Sequence, residues 1–433
     1  MKELWKLSMN EQIEAMRAGT LRVEELTQVY LDRLEKYGGK DGLNVVAQIN
    51  PRALEEARVL DVAADKSGAL FGLPILVKDN MDVAGLYTTA GSMTLRDNLA
   101  AKDAPVIANL RKAGAVILGK ANMTEFANYT ASEMPNGFSS FGGQVIHAYD
   151  PARDPSGSST GSAVAVSAGL CAAAIGTDTS FSIVGCAAQN GVTGLKPAYG
   201  SLSGEGIVPI ACLLDSAGPI TRTLEDAIRI YEAMRGENIG QVQKTEPHEL
   251  RLAVNTFNRE NVSEAQLGLY DIVLNWLREA GAHIVEAEHP YQPRQRDLMR
   301  YAFREDLNAY LAAKNTENRT LEEIVAAYEE NTIWMPYGID VLQAALGKSK
   351  ADPEYAYAMK ERERVRAEMQ KAFRDLDACL LTGPTNIMHF CGFPSVALRL
   401  DVGEDGASHG LILYGADEKR LLEAALCIEQ YSN

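Results

Sequence analysis

No apolar run in the 433 residues reaches the roughly 18 needed to cross a bilayer. The best candidate, Ala163 to Ile175, is short and rich in alanine, and it reads as a buried helix. The N-terminal stretch "MKELWKLSMNEQIEAMRAG" has no unbroken apolar core and carries acids early, unlike a secretory leader. Positive charge is also scarce: 42 Lys and Arg stand against 58 Asp and Glu, a formal net charge of −16. Nucleic acid and anionic membrane surfaces both call for a basic face, so neither is expected as the main partner. The six cysteines, at 171, 186, 212, 379, 391 and 427, have no CxxC spacing and mostly apolar neighbours. That pattern fits reduced structural thiols and a cytoplasmic location. The histidines and cysteines lack ligand spacing, so no metal is expected, and no cofactor is implied.

What is present is an α/β alternation. "SMNEQIEAMRAG" and "TLRVEELTQVYLDRLEKYGG" are two amphipathic helices with polar starts and glycine stops, and "NPRALEEARVLDVAADKSG" is a third. "FGLPILVKDN" is a short, nearly continuous apolar run, the pattern of a buried strand ending at Lys78. "DAPVIANLRKAGAVILGKAN" gives a helix, a turn at Gly114 and a strand. Residues 235–375 are strongly charged and helical in spacing. After them "ACLLTGP" and "PSVALRLDVG" return to strand-like runs, and "DEKRLLEAALCIEQ" closes with a helix. The expectation is one domain over 1–433, a mixed central sheet surrounded by helices, with 235–375 a helical excursion covering the site.

The stretch "PSGSSTGSAVAVSAG", residues 155–169, sets seven glycines and hydroxyl residues before a small-residue apolar run. A phosphate loop needs a lysine after its last glycine, but Ser162 follows Gly161 and no lysine appears until Lys196. A flexible linker would not run directly into an apolar helix. A serine nucleophile remains, and it needs a base and backbone donors for the oxyanion. The six histidines (147, 248, 283, 289, 389, 409) all lie outside the span Ser156 to Lys196. A triad assembled in space stays open, although no G-x-S-x-G elbow is present. A desolvated, neutral lysine is the physical alternative, and Lys78 at the end of "GLPILV" fits that need.

These blocks carry a resemblance. "GLPILVKDNMDVAGLYTTAGS", "DAPVIANLRKAGAVILGKANMTEFAN", "PSGSSTGSAVAVSAG", "GTDTSFSIVGCAAQNGVTGLKPAYG" and "LLDSAGPITRTLEDA" resemble, in order, the blocks of the amidase signature family. The resemblance runs from about residue 8 to the C-terminus and is weak only across the helical excursion. It implies the amidase signature fold, Lys78 as base, Ser158 as a bridging serine held in a cis peptide, and Ser182 as nucleophile. The interval from 158 to 182 is the family's own. The family's oxyanion hole falls on backbone N–H groups of Thr179, Ser180, Phe181 and Ser182. The chain departs from the family in three places. Ser180-Phe181-Ser182 stands where Gly-Gly-Ser is usual, Val184 where an arginine is frequent, and only "NIMHFC" separates "LLTGPT" from "GFPS".

The activity implied is amidase hydrolysis of a carboxamide through a serine acyl-enzyme, on a small-molecule or peptide amide, by a monomer or homodimer. The neighbourhood of the serines is similar to the peptide-amidase branch. "YGSLSG" stands where the glutamine-cleaving chain of the tRNA-dependent amidotransferase usually has "YGRVSR". That chain, releasing ammonia from glutamine, and a catalytically impaired binding protein are the alternatives. Met134 and Phe181 are expected to line an apolar acyl pocket, with Phe138 beside them. Phe181 has two places to go, the acyl pocket or the core, and the pocket is the expectation.

Overall fold

The computed structural model describes residues 3–402 and 407–432. A single α/β domain is built on one mixed sheet of eleven strands. These are β1 (Val46–Ile49), β2 (Pro74–Lys78), β3 (Val116–Ala121), β4 (Ala173–Asp178), β5 (Thr193–Lys196), β6 (Ser216–Thr221), β7 (Arg251–Asn255), β8 (His283–Ala287), β9 (Ala378–Leu381), β10 (Ser395–Val402) and β11 (Ser408–Tyr414). Across the sheet they run β1-β3-β2-β4-β6-β5-β10-β11-β9-β7-β8. Side chains alternate between two apolar clusters. In β11, Leu411 and Leu413 enter one cluster and Ile412 and Tyr414 the other, so both faces are covered.

Local signals place most elements where the sequence puts them. Ser8 and Glu11 form a capping box at the start of Met9–Arg17. Thr223 caps Leu224–Arg235, which stops at the left-handed Gly236. β2 is buried at every residue. It lies between β3 and β4 and runs parallel to both, with Leu76 opposite Ala174 and Val77 opposite Ile175. The carboxyl ends of β2 and β4 therefore emerge side by side, the usual place for a site in an α/β sheet.

Two expectations change. The run Ala163 to Ile175 is not one helix. The helix Thr160–Ser167 ends before Gly169, at φ +65°, and β4 begins at Ala173. A short run apolar on every side carries no period that separates helix from strand, and here a single glycine divides it. The segment 235–375 is not wholly helical either. It holds Glu264–Glu279, Arg294–Ala312, Leu321–Glu330 and Pro353–Ala372, but also β7 and β8, which pair in parallel at the sheet's edge. β8 is mostly exposed, so it lacks the apolar run that would mark it. Among the described residues no helix is long and apolar enough to cross a membrane. All six cysteines are free thiols; Cys212 is exposed and the other five are buried.

Candidate active site

Three separate segments bring the site together. Lys78 is the last residue of β2, Ser158 sits in the loop before Thr160–Ser167, and Ser182 precedes the helix Val184–Gln189. The loop is pressed against backbone. A Cβ on Gly161 would stand 2.3 Å from the Asn122 carbonyl oxygen and 2.5 Å from that of Val45, so only glycine fits there. The Gly157–Ser158 peptide bond is cis. The Ser159 N–H reaches the Ser182 carbonyl at 3.3 Å, tying the loop to the Ser182 segment.

Lys78 Nζ lies 2.8 Å from Ser158 Oγ, and Ser158 Oγ lies 3.1 Å from Ser182 Oγ. The three residues form one continuous chain of hydrogen bonds. Nζ also donates to Thr177 Oγ1 at 2.9 Å and Ser159 Oγ at 3.1 Å. The amine is shut off from solvent, since Lys78 is fully buried. Burial pushes its pKa down to about 7, against the opposing pull of Cys186, Asp178 and Asp215.

The turn from β4 into Ser182 is anchored at Asp178. One carboxylate oxygen accepts from the N–H groups of Ile183 (2.7 Å) and Val184 (3.2 Å). The other faces His389 Nε2 at 3.0 Å. Burial pushes the Asp178 pKa up, but His389, Lys196 and these N–H groups outweigh it and hold the carboxyl at about 2. Asp178 thus finds its partner on a distant segment, with Val184 standing where the family's arginine is frequent. Gln295 Nε2 donates to the Thr179 carbonyl at 3.1 Å, and Thr179 Oγ1 donates to Asp215 at 2.5 Å.

Phe181 has φ +67°, a left-handed conformation that favours glycine. Its N–H donates to His389 Nε2 at 2.9 Å, and its ring packs on the imidazole with centroids 4.6 Å apart. One nitrogen therefore faces both an N–H and a carboxylate. Unprotonated, it accepts from Phe181; protonated, it donates to Asp178. Sequence reasoning gave His389 no role here, because only the fold brings residue 389 next to residue 181.

A cavity of about 260 Å³ opens on Ser182, walled by Gly157, Thr179 and Ser180 on one side and by Gln295 and Arg296 on the other. This cavity is lined mostly by polar residues, unlike the apolar pocket expected. Among the described residues neither Phe181 nor Met134 lines this cavity. Phe181 is turned onto His389, Met134 is buried in the core, and Phe138 packs edge-on against Tyr337 at 5.0 Å.

The amidase family pattern matches residues 25–390, and the chain belongs to that family. It is similar to a probable amidase of Arabidopsis thaliana, 30% identical over 95% of this chain and 87% of that one. The A chain of the glutamyl-tRNA(Gln) amidotransferase of Beijerinckia indica is also 30% identical, over 96% of this chain and 87% of its own length. Among solved structures, the peptide amidase of Stenotrophomonas maltophilia superposes with a TM-score of 0.90 at 31% identity, covering 99% of this chain and 97% of that one.

Proposed function

We propose that the protein hydrolyses linear carboxamides through an acyl-enzyme on Ser182, with Ser158 relaying the proton and Lys78 as the base. The observation that carries this is the unbroken chain from Lys78 Nζ through Ser158 Oγ to Ser182 Oγ, ending on a buried amine. Each hydroxyl both donates and accepts, so the chain passes a proton in either direction. Neutral Lys78 takes the Ser158 proton as Ser158 takes that of Ser182, and Ser182 Oγ bonds to the carbonyl carbon. When the tetrahedral adduct collapses, the C–N bond breaks and the relayed proton leaves on the departing nitrogen. Water then attacks the ester through the same relay, releasing the carboxylate and regenerating Ser182.

The oxyanion falls to the N–H groups of Thr179 and Ser180, which line the cavity, while that of Phe181 is engaged by His389. Access to Ser182 and the position of the Phe181 ring support an active enzyme over an impaired binding protein. The five buried free thiols support a reducing, cytoplasmic setting. The glutamine-cleaving component of an amidotransferase is the second reading, favoured by the likeness to such proteins. Hydrolysis of simple primary amides by the isolated chain sets it aside.

A serine-directed fluorophosphonate followed by peptide mapping tests the reading. Label on Ser182 is expected in the native protein, with much slower labelling in Ser158→Ala. Label elsewhere, or none, overturns it.

A further inference from the structure

We propose that the cavity above Ser182 takes small amides that carry an anionic group, a carboxylate being the simplest, and that Arg296 holds that group. The proposal rests on Ser182 being the nucleophile. Arg296 is the charged residue in the cavity wall, and among the described residues no Asp or Glu lines it. The remaining polar walls, including Asn128, Ser180, Gln295 and Asn386, are neutral. Other arginines of the same helix, Arg294–Ala312, are neutralised: Arg294 pairs with Asp297 at 2.8 Å and Arg304 with Glu322 at 3.1 Å.

Arg296 makes no such pair among the described residues, and neither does Arg300, one turn further along the same face. Like charges four residues apart work against a helix, and a chain with 58 acids has no shortage of partners to place between them. A guanidinium left unpaired beside a nucleophile is complementary to a planar anion, which it holds through two parallel hydrogen bonds. Gln295 adds an acceptor. Its Nε2 is bound to the Thr179 carbonyl and its Oε1 is buried without a partner, matching an N–H of the substrate's carboxamide. The volume of about 260 Å³ lies below the range of roughly 300 to 1,000 Å³ that drug-sized ligands occupy, which keeps the substrate small.

The test compares succinamate with butyramide, which differ by a carboxylate in place of a methyl group. In the native protein kcat/KM is expected to favour succinamate by about tenfold or more, the worth of a charge-assisted hydrogen bond. Arg296→Gln brings the ratio near one, Arg296→Lys keeps part of it, and Arg300→Gln changes it less than about threefold, as a screened charge outside the cavity wall should. A native ratio near one overturns the proposal. So does a ratio that survives Arg296→Gln, or one lost as fully in Arg300→Gln. Fluorophosphonate labelling of Ser182 reports separately on the nucleophile. Should labelling and turnover both fail, calorimetric titration decides. Succinamate binding tighter than butyramide in the native protein, with the difference lost in Arg296→Gln, supports the anion site, and equal binding overturns it.

Discussion

The base role proposed for Lys78 depends on the amine being shut off from water. Burial holds its pKa at about 7 rather than the solvated 10.5, so the neutral amine is populated near neutral pH. The expected pH profile of kcat/KM rises through about pH 7, as the ammonium loses its proton, and is level above it. Lys78→Ala should lower kcat by about 10² to 10⁴-fold, the usual worth of a positioned base, measured on the amide the native protein cleaves best. A flat profile, or a mild loss, would leave Lys78 another task. Phe181 teaches a different lesson. Its ring lies on His389 and not in the cavity, so Phe181→Gly should leave the order of amide preference unchanged. Relief of the left-handed backbone, worth about 1–2 kcal/mol, then offsets part of the lost packing. A changed preference order in a short series of primary amides would return the ring to the acyl pocket. Lys78, Ser158 and Ser182 were legible as candidates that the fold brings into one hydrogen-bonded chain, because their blocks are local and ordered. The direction of the Phe181 side chain was not, because it depends on one φ angle and on a histidine 208 residues away.

Two elements hold the turn at Ser182, and neither is near it in sequence. The short helix Ile387–Cys391 delivers His389 to Asp178 and Phe181, and Arg294–Ala312 delivers Gln295 to the Thr179 carbonyl. His389 Nε2 accepts from the Phe181 N–H, so removing the imidazole leaves that N–H without its acceptor. His389→Ala should therefore destabilise the protein by about 1–3 kcal/mol or more, the cost of an unsatisfied buried group. His389→Gln, which still offers an acceptor oxygen, should recover part of it; urea midpoints of both variants decide. Equal midpoints for the native protein and His389→Ala would mean that the Phe181 N–H needs no such acceptor. At this scale the sequence located helices with caps and strands with apolar runs, since both signals lie within one element. It missed β7 and β8 inside a charged segment. β8 is an exposed edge strand stabilised by its pairing with β7, and β7, though buried, offers an apolar run of only Leu252, Ala253 and Val254.

Across the whole molecule, burial sets the pH dependence of stability. Burial raises Asp215, Glu125 and Glu429 to about 7. Each binds a proton in the folded state that the unfolded chain has already lost, so their stabilising contribution is full at low pH and disappears as pH rises through about 7. Burial lowers Lys78 to about 7 and Lys196 to about 8. The unfolded chain then holds protons that the folded one has released, so their contribution grows from about pH 7 toward the solvated value of 10.5. Together these groups put a minimum near pH 7–8. Asp215→Asn, which does not ionise, should gain on the native protein by on the order of 1 kcal/mol as pH rises from 5.5 to 8, read from urea midpoints. A difference that stays constant with pH would show that Asp215 does not titrate in this range. The sequence by itself determined the α/β class and the family, and it singled out Lys78, Ser158 and Ser182 as the candidate site, because these are written in contiguous residues whose types and intervals the proposed chemistry requires. Only the tertiary structure decided that Ala163 to Ile175 is a helix and then a strand, that Phe181 leaves the cavity, that His389 meets Asp178, and that Arg296 shares a cavity with Ser182. Each of these depends on which distant segments share a wall, and that is set by the packing of the sheet.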